Sequence, residues 1–413
     1  MGVNLREILL VKDFQARILK KLSFLGLFLF LFVNVYGQVP SGYSVTIDQD
    51  PINAGNETAV SFTFTGAEVG ATYNYSFTSD GGGTPVTVTG GGPIATATDQ
   101  ITGIDLSGLG DGTITLTVSL TNLSGQGADV TDTKTKDAAA PSGYSVEINQ
   151  DPINSGNETA VSFTFTAAEV GATYNYSFTS DGGGGSVANS GTIIGAGETI
   201  SGINLSGLAD GTITLSVTLT DINGNLGSAV TNTKTKDTEA PSGYSVEINQ
   251  DPINGTNENA VSFTFTGAEV GATYNYTFTS SGGGGSVTGS GTITEAGQII
   301  SGINLSTLPD GSITLSVTLT DINGNLGSAV TDTATKDTAA PRGYSVEINQ
   351  DPINSGNETA VSFTFTGAEV DATYNYSFTS SGGGGPVAGS GTIASAGQTI
   401  SGINLTGLGD GLI

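Results

Sequence analysis

Between Leu208 and Tyr244 the chain reads LADGTITLSVTLTDINGNLGSAVTNTKTKDTEAPSGY. Ile213, Leu215, Val217 and Leu219 alternate with threonine and serine, a period of two that puts branched aliphatics on one face of a strand and hydroxyls on the other. That is the signature of a half-buried antiparallel strand. Asp221-Ile-Asn-Gly-Asn225 follows, and its Asn-Gly pair, which tolerates positive φ at both central residues, predicts a hairpin into the Val/Thr-rich run Leu226–Thr235. Pro241 then breaks the ladder for want of an amide donor, and Tyr244, Val246 and Ile248 start a new alternation.

The passage recurs 100 residues later, from Leu308 to Tyr344, and a looser copy stands 100 residues earlier. Aligning 141–240 with 241–340 leaves 18 differences in 100 positions, so the chain is a tandem array. Its divisions are a signal segment 1–37, repeats 38–140, 141–240 and 241–340, and a fourth, 341–413, that stops where its predecessors continue through two more strands. By this pattern the inner faces of the fourth repeat are exposed, and the chain reads as part of a longer one. Within the second repeat the pattern predicts strands over 144–149, 160–166, 172–179, 187–194, 199–205, 212–220 and 226–235, with a bulge at Gly202. Short strands, turn signals every 8 to 15 residues and no helical period predict an all-β chain of tandem immunoglobulin-like β-sandwich domains. A β-solenoid would repeat at its coil length, and this chain repeats only at 100. A closed barrel of similar strand count stays open, because spacing does not give strand order.

Composition narrows the function. The chain has no cysteine, histidine or tryptophan, so no disulfide holds a repeat together and each needs its own apolar core or bound ions. Histidine is the usual proton-transfer group near neutral pH, so its absence and that of any thiol argue against an enzyme. Every acidic residue sits in a copied turn or strand edge rather than in a singular cleft. Formal net charge is −27, and about −30 without residues 1–37, which hold five of the 11 basic and two of the 38 acidic residues. Such a surface repels nucleic acid and anionic lipid and attracts divalent cations. The 63 glycines lie between alternating segments and read as turns. Lys20-Lys21 precede an apolar run from Leu22 to Tyr36, the length of a signal-peptide core and short of the roughly 20 residues of a membrane span. Cleavage is expected after Gly37, which places the repeats outside the cytoplasm; an uncleaved anchor would do the same.

The run L-x-D-G-T-I-T-L-S-V-T-L-T-D-I-N-G-N, followed by K-D-T and a proline four residues past that aspartate, resembles the bacterial immunoglobulin-like repeats of large secreted surface adhesins and biofilm-associated proteins. The resemblance covers the chain from about residue 40 onward. It implies a stalk or matrix component in adhesion, at the cell surface or secreted, with calcium stiffening the junctions in some members. The residues make a physical case for calcium beside it. Asp221, Asn223 and Asn225 offer side-chain oxygens at alternate positions of a tight loop, Asp237 lies in the adjoining linker, and Asn249 or Asp251 follows in the next domain. Asp321, Asn323, Asn325 and Asp337 repeat the set. Gly224 holds the fourth place rather than the sixth, so the loop is no EF-hand. The plain alternative is a good hairpin turn and a solvated linker charge. Repeat 1 has Asn122-Leu-Ser-Gly-Gln126 instead, and Asp137 alone would make a poor site.

Other residues carry two readings each. Asp210-Gly211 is a turn or an additional ligand. Lys236 is a solvated edge charge or one end of an intramolecular isopeptide bond. Thr231, Thr233 and Thr235 are the ordinary wet face of a strand or one row of a flat ice-binding face. The expected function is a non-enzymatic spacer, with strands of nine residues about 30 Å long and three or four units exceeding about 100 Å. The alternative is a binding module whose Gly-rich loops, 182–185 and its copies, grip a glycan or a matrix protein.

Overall fold

The computed structural model describes residues 37–413; the apolar run of the expected signal peptide lies outside them. The second repeat shows how the alternation becomes a sandwich. Its strands are β1 (Ser145–Ile148), β2 (Val161–Thr166), β3 (Thr173–Ser180), β4 (Ser186–Thr192), β5 (Thr199–Ile203), β6 (Gly211–Thr220) and β7 (Val230–Lys236). They form two antiparallel sheets, one in the order β5-β2-β1 and the other β4-β3-β6-β7. This is an immunoglobulin-like sandwich, all-β, in which the fourth strand stays beside the third and the fifth crosses to the other sheet. The strands predicted at 187–194 and 199–205 are therefore both present but belong to different sheets.

Register fixes which side chains meet. Against β6, Tyr174 faces Leu219, Tyr176 faces Val217 and Phe178 faces Leu215. Ile213, Leu215, Val217 and Leu219, the four aliphatics of the opening pattern, have no solvent exposure. Each contributes about 1.5–3 kcal/mol by leaving water. The facing sheet supplies Val146, Ile148, Val161, Phe163, Phe165 and Ile203. Phe163 meets Tyr176 edge to face with centroids 5.3 Å apart, an arrangement that suits the ring quadrupoles. Tyr144 locks the entry of the chain: its hydroxyl donates to the Ser228 carbonyl at 2.6 Å and accepts the Leu219 N–H at 3.2 Å. The expected bulge is present. Between Val161/Ile203 and Phe163/Ile200 the pairing of β2 with β5 slips by one residue, and Gly202 there takes φ +74°.

Two local expectations are corrected. The seventh strand starts at Val230, not Leu226. Leu226 keeps only an isolated bridge to Thr220, and Gly227, whose N–H still donates to Leu219 O at 2.8 Å, passes beneath the Pro141 carbonyl, too close for a side chain. The hairpin is also not the two-residue primed turn that Asn-Gly predicts. Only Gly224 has positive φ, at +89°. The Gly224 N–H donates to Asp221 O at 3.2 Å and Asp221 N–H to Asn225 O at 3.1 Å. This is a three-residue loop, a turn closed by a left-handed glycine.

The chain divides into two units, residues 1–239 and 240–413. In the first, repeats 1 and 2 each have a separate core, built from 43–120 and 144–219. In the second, repeat 3 repeats the same two sheets. Repeat 4 has the three-stranded sheet but only two strands of the other, 373–378 and 387–392. Its inner face is more open than in repeats 2 and 3. Tyr344 is 52 % exposed where Tyr144 and Tyr244 are 6 %, and a groove of about 1080 Å³ lies along Phe363, Phe365, Tyr374 and Phe378. Among the described residues no helix is long and apolar enough to cross a membrane.

Candidate functional site at the junction of the first two repeats

The loop Asp221–Asn225 organises itself before it meets anything else. Asp221 Oδ1 accepts the N–H of Asn223 at 2.9 Å and of Asn225 at 2.8 Å, and Oδ2 accepts the Asn225 side-chain amide at 2.8 Å. Aspartate folds back on backbone two residues on because its short side chain closes that ring without strain. The result is a loop whose two ends are dry, with Asp221 6 % and Asn225 2 % exposed, while Ile222 between them is 85 % exposed.

What covers it is the end of repeat 1. There the backbone turns after Ile52, whose N–H is held by Thr135 O at 3.0 Å and whose carbonyl holds the Asp137 N–H at 2.9 Å. That places Asn53, Ala54 and Asp137 on one surface. Asn53 Nδ2 donates to Asn223 O at 2.7 Å, and the Ala54 N–H donates to Asn225 Oδ1 at 2.9 Å. In return Asn223 Nδ2 reaches Asp137 Oδ2 at 2.7 Å, and Asn225 Nδ2 reaches Asp137 O at 2.8 Å. Four hydrogen bonds thus cross the junction, two in each direction, one of them charge-assisted. Glu169 stands beside it; burial and then the charges of Asp221 and Asp137 push its carboxyl above the usual value.

The structure brings together Asp221, Asn223 and Asn225 but not Asp237. The ten-residue strand β6 separates the loop from the end of β7, about 30 Å away. Asp237 instead donates its N–H to Ile153 O at 2.9 Å, and its Oδ1 accepts the Glu239 N–H at 3.1 Å. The expectation that the following linker and domain complete the set is corrected: the aspartate that meets this loop is Asp137, from the linker before it. Asn249 is bonded to Ser262 and Thr264, and Asp251 to the Thr335 N–H, all within their own repeat. In repeat 3 Asp321 organises Asn323 and Asn325 as Asp221 does, at 2.8–2.9 Å, and Asp337 stands at the far end of that repeat, its N–H on Ile253 O. Asn53, Ala54 and Glu169 were not legible as partners. The signal that would have found Asn53 is its recurrence in the D-P-I-N segment as Asn154, Asn254 and Asn354.

Calcium wants six to eight oxygens; here both Asp221 oxygens accept N–H bonds, with lone pairs to spare, and Asn223 and Asn225 turn their amide nitrogens to Asp137. Repeat 1 keeps the turn without the acid: Asn122 Oδ1 accepts the Ser124 N–H at 2.8 Å, and its Nδ2 bonds Gln38 O at 2.9 Å and Glu68 Oε1 at 3.0 Å.

A second cluster overturns a simpler expectation. Lys236 is no solvated edge charge: it is 3 % exposed, with Nζ 3.0 Å from Glu158 Oε2 and 3.0 Å from Asp210 Oδ1. Lys136 is placed alike between Glu57 and Asp111, both at 2.8 Å, and Lys336 lies 2.9 Å from Glu258. Burial alone would lower the lysine pKa, but the two carboxylates outweigh it and Lys136 and Lys236 are raised. Asp210 is pushed up by burial and down further by the Thr238 N–H and Lys236, so it ends below its usual value. Asp210 is a turn residue that also anchors the last strand. The Gly-rich loop is closed as well: Gly184, at φ +98°, lies against the Gly207 carbonyl, and Gly183 O accepts the Ala209 N–H at 3.0 Å.

Fold and junction define a tandem β-sandwich repeat protein. No family model and no curated protein matches the chain. Among solved structures it is similar to a tetra-tandem repeat from the extending region of a large adhesion protein, with 23 % identity over 89 % of this chain and 92 % of that one at a TM-score of 0.38. It is also similar to the FN1–FN3 domains of chicken CNTN1, at 13 % identity over 72 % and 99 % of the two chains, TM-score 0.31. Fibronectin(III)-like modules of Clostridium thermocellum CbhA match at 11 % identity over 47 % and 93 %, TM-score 0.27.

Proposed function

We propose that the chain is a non-enzymatic spacer of a secreted or cell-surface adhesion or biofilm-matrix protein, in which a hydrogen-bonded latch holds repeats 1 and 2 at a set angle. The observation that carries this is the pair of reciprocal contacts between Asn53, Ala54 and Asp137 of one repeat and Asn223 and Asn225 of the next. A flexible string of beads needs no such surface. The apolar run after Lys20-Lys21 supports export, and the absence of histidine and cysteine supports a structural rather than catalytic role.

Calcium enters this reading as a competitor to the latch, since Asn223 and Asn225 now turn amide nitrogens rather than oxygens to Asp137. The chain has no native cysteine, so spin labels at Thr46→Cys and Glu147→Cys report on repeats 1 and 2 alone. We expect a narrow distance distribution that is unchanged by chelator and broadens in the Asn223→Ala, Asn225→Ala double variant. A broad distribution in the parent chain would sink the latch. Narrowing on added calcium would install the metal in its place.

A further inference from the structure

Every sheet edge in repeat 2 except one is guarded. The β7 edge is covered where Asn232 Oδ1 accepts the Ile148 N–H at 3.1 Å, and it carries Lys234 beside Asp151. β1 is four residues with a central glutamate, and β5 is five residues bent by Gly202. Short strands, charge and bulges are the usual protections against pairing with a foreign strand. The exception is β4, and its counterpart in repeat 3 is barer still. Ser286–Thr292, SVTGSGT, holds seven residues in unbroken register with the preceding strand and has no charged residue, proline or bulge. Glycine at 289 removes the side chain that in repeat 2, as Asn189, caps the Ser190 N–H. Repeat 1 differs: its edge strand Val86–Pro93 slips register twice, and the Gly90 N–H is capped by Asn74.

We propose that this edge, Ser286–Thr292 and secondarily Ser186–Thr192, is a pairing surface for the same strand of a second copy of this chain, joined antiparallel about a twofold axis. The partner follows from the chemistry of the edge. It offers backbone N–H and C=O groups flanked by small uncharged side chains, with no deep pockets to select the alternate side chains of a foreign peptide. Only regularity and the absence of charge are recognised, and the strand itself supplies both. Residues 38–413 carry a net charge of about −30, none of it on this strand, so a second copy meets the least repulsion along this edge. The edge is also stiff. A Cβ on Gly289 would come within 2.4 Å of the Tyr276 hydroxyl, so the ring lies flat along the strand and holds it extended. An array with several such edges gains avidity from contacts that are individually weak.

The test is sedimentation equilibrium of the full chain at physiological salt, comparing the parent with the Ala188→Lys, Thr288→Lys double variant. Both positions are exposed, so melting should not change. A control pair, Thr214→Lys and Thr314→Lys, puts the same charges on the central strand. Added lysines relieve the self-repulsion of an acidic chain, so a general charge effect would tighten association in both variants. Edge pairing predicts the opposite for one of them: parent and control associate, and the edge variant is weakened about tenfold or more. A parent that stays monomeric, an edge variant that associates as tightly as the parent through the open groove of repeat 4, or a control that loses association equally, would each overturn the proposal.

Discussion

Asp221 does nothing that a surface turn residue would not do, except that it does it in the dark. Its two oxygens hold three N–H groups within a loop that the neighbouring repeat seals. Asp221→Ala would strand two backbone donors there, at a cost of about 1–3 kcal/mol. It is expected to lower the melting temperature of repeat 2 and to loosen the junction, whereas the same change at exposed Asp181 should cost less. Lys236 makes the larger case. Lys236→Met leaves Glu158, 19 % exposed, without its counter-charge, and the expected loss is roughly 3 kcal/mol, the low end for a broken buried pair because Asp210 is partly solvated. The pH dependence follows from the shifts. Asp111 and Asp210 are lowered from 3.8, so their contribution is complete above that value and is lost as pH falls through the depressed folded values. Lys136 and Lys236 are raised from 10.5, so their contribution is present below that value and is lost as pH rises through the raised ones. Thermal melts should therefore show a plateau across neutral pH with an acid limb below about 4 that Lys236→Met flattens; an acid limb of unchanged size would assign it to other carboxylates.

At the scale of elements, what the sequence discloses is whatever depends on neighbours along the chain. Period two gave the strands, their inward faces and the Gly202 bulge, since each is set by alternation over a few residues. It did not give the ends. A hairpin pattern says that Asp221 and Asp237 flank successive strands, but successive antiparallel strands put those residues at opposite ends of the sandwich, and the linker that reaches the loop is the earlier one. Nor did it give the burial of Lys236, because Glu158 comes from the turn before β2, far away in sequence, and only the closed sandwich brings the two together. The packing of the Gly-rich loop was hidden for a related reason. A Cβ at Gly184 would lie 2.4 Å from the Gly207 carbonyl oxygen in a backbone region that other residues avoid. Gly184→Ala is expected to destabilise repeat 2 by about 1–3 kcal/mol in chemical melts, whereas a mobile ligand loop would accept it unchanged.

The whole molecule contains its own control on what a sandwich needs. Val161–Thr166 and Val361–Thr366 are the same six residues, VSFTFT, placed alike between their two sheet neighbours. What differs is the cover. In repeat 2 the opposite sheet has four strands, and Phe163 and Phe165 are 0 % and 1 % exposed; in repeat 4 it has two, an open groove runs along the pair, and Phe363 and Phe365 are 4 % and 5 % exposed. Hydrogen bonds within the sheet are the same in both, so any difference in local stability measures the apolar burial supplied by the missing cover rather than the ladder itself. Residues 141–240 hold a complete core together with Lys236, Glu158 and Asp210 and are expected to fold alone with a β-type circular dichroism spectrum. In the full chain, amide exchange at 361–366 should be faster than at 161–166 by a factor of 100 or more, corresponding to about 3 kcal/mol, roughly what one or two buried aliphatic side chains contribute. Equal protection of the two segments would mean that three strands suffice to hold the sheet, and that the sandwich is not the unit from which this array is built.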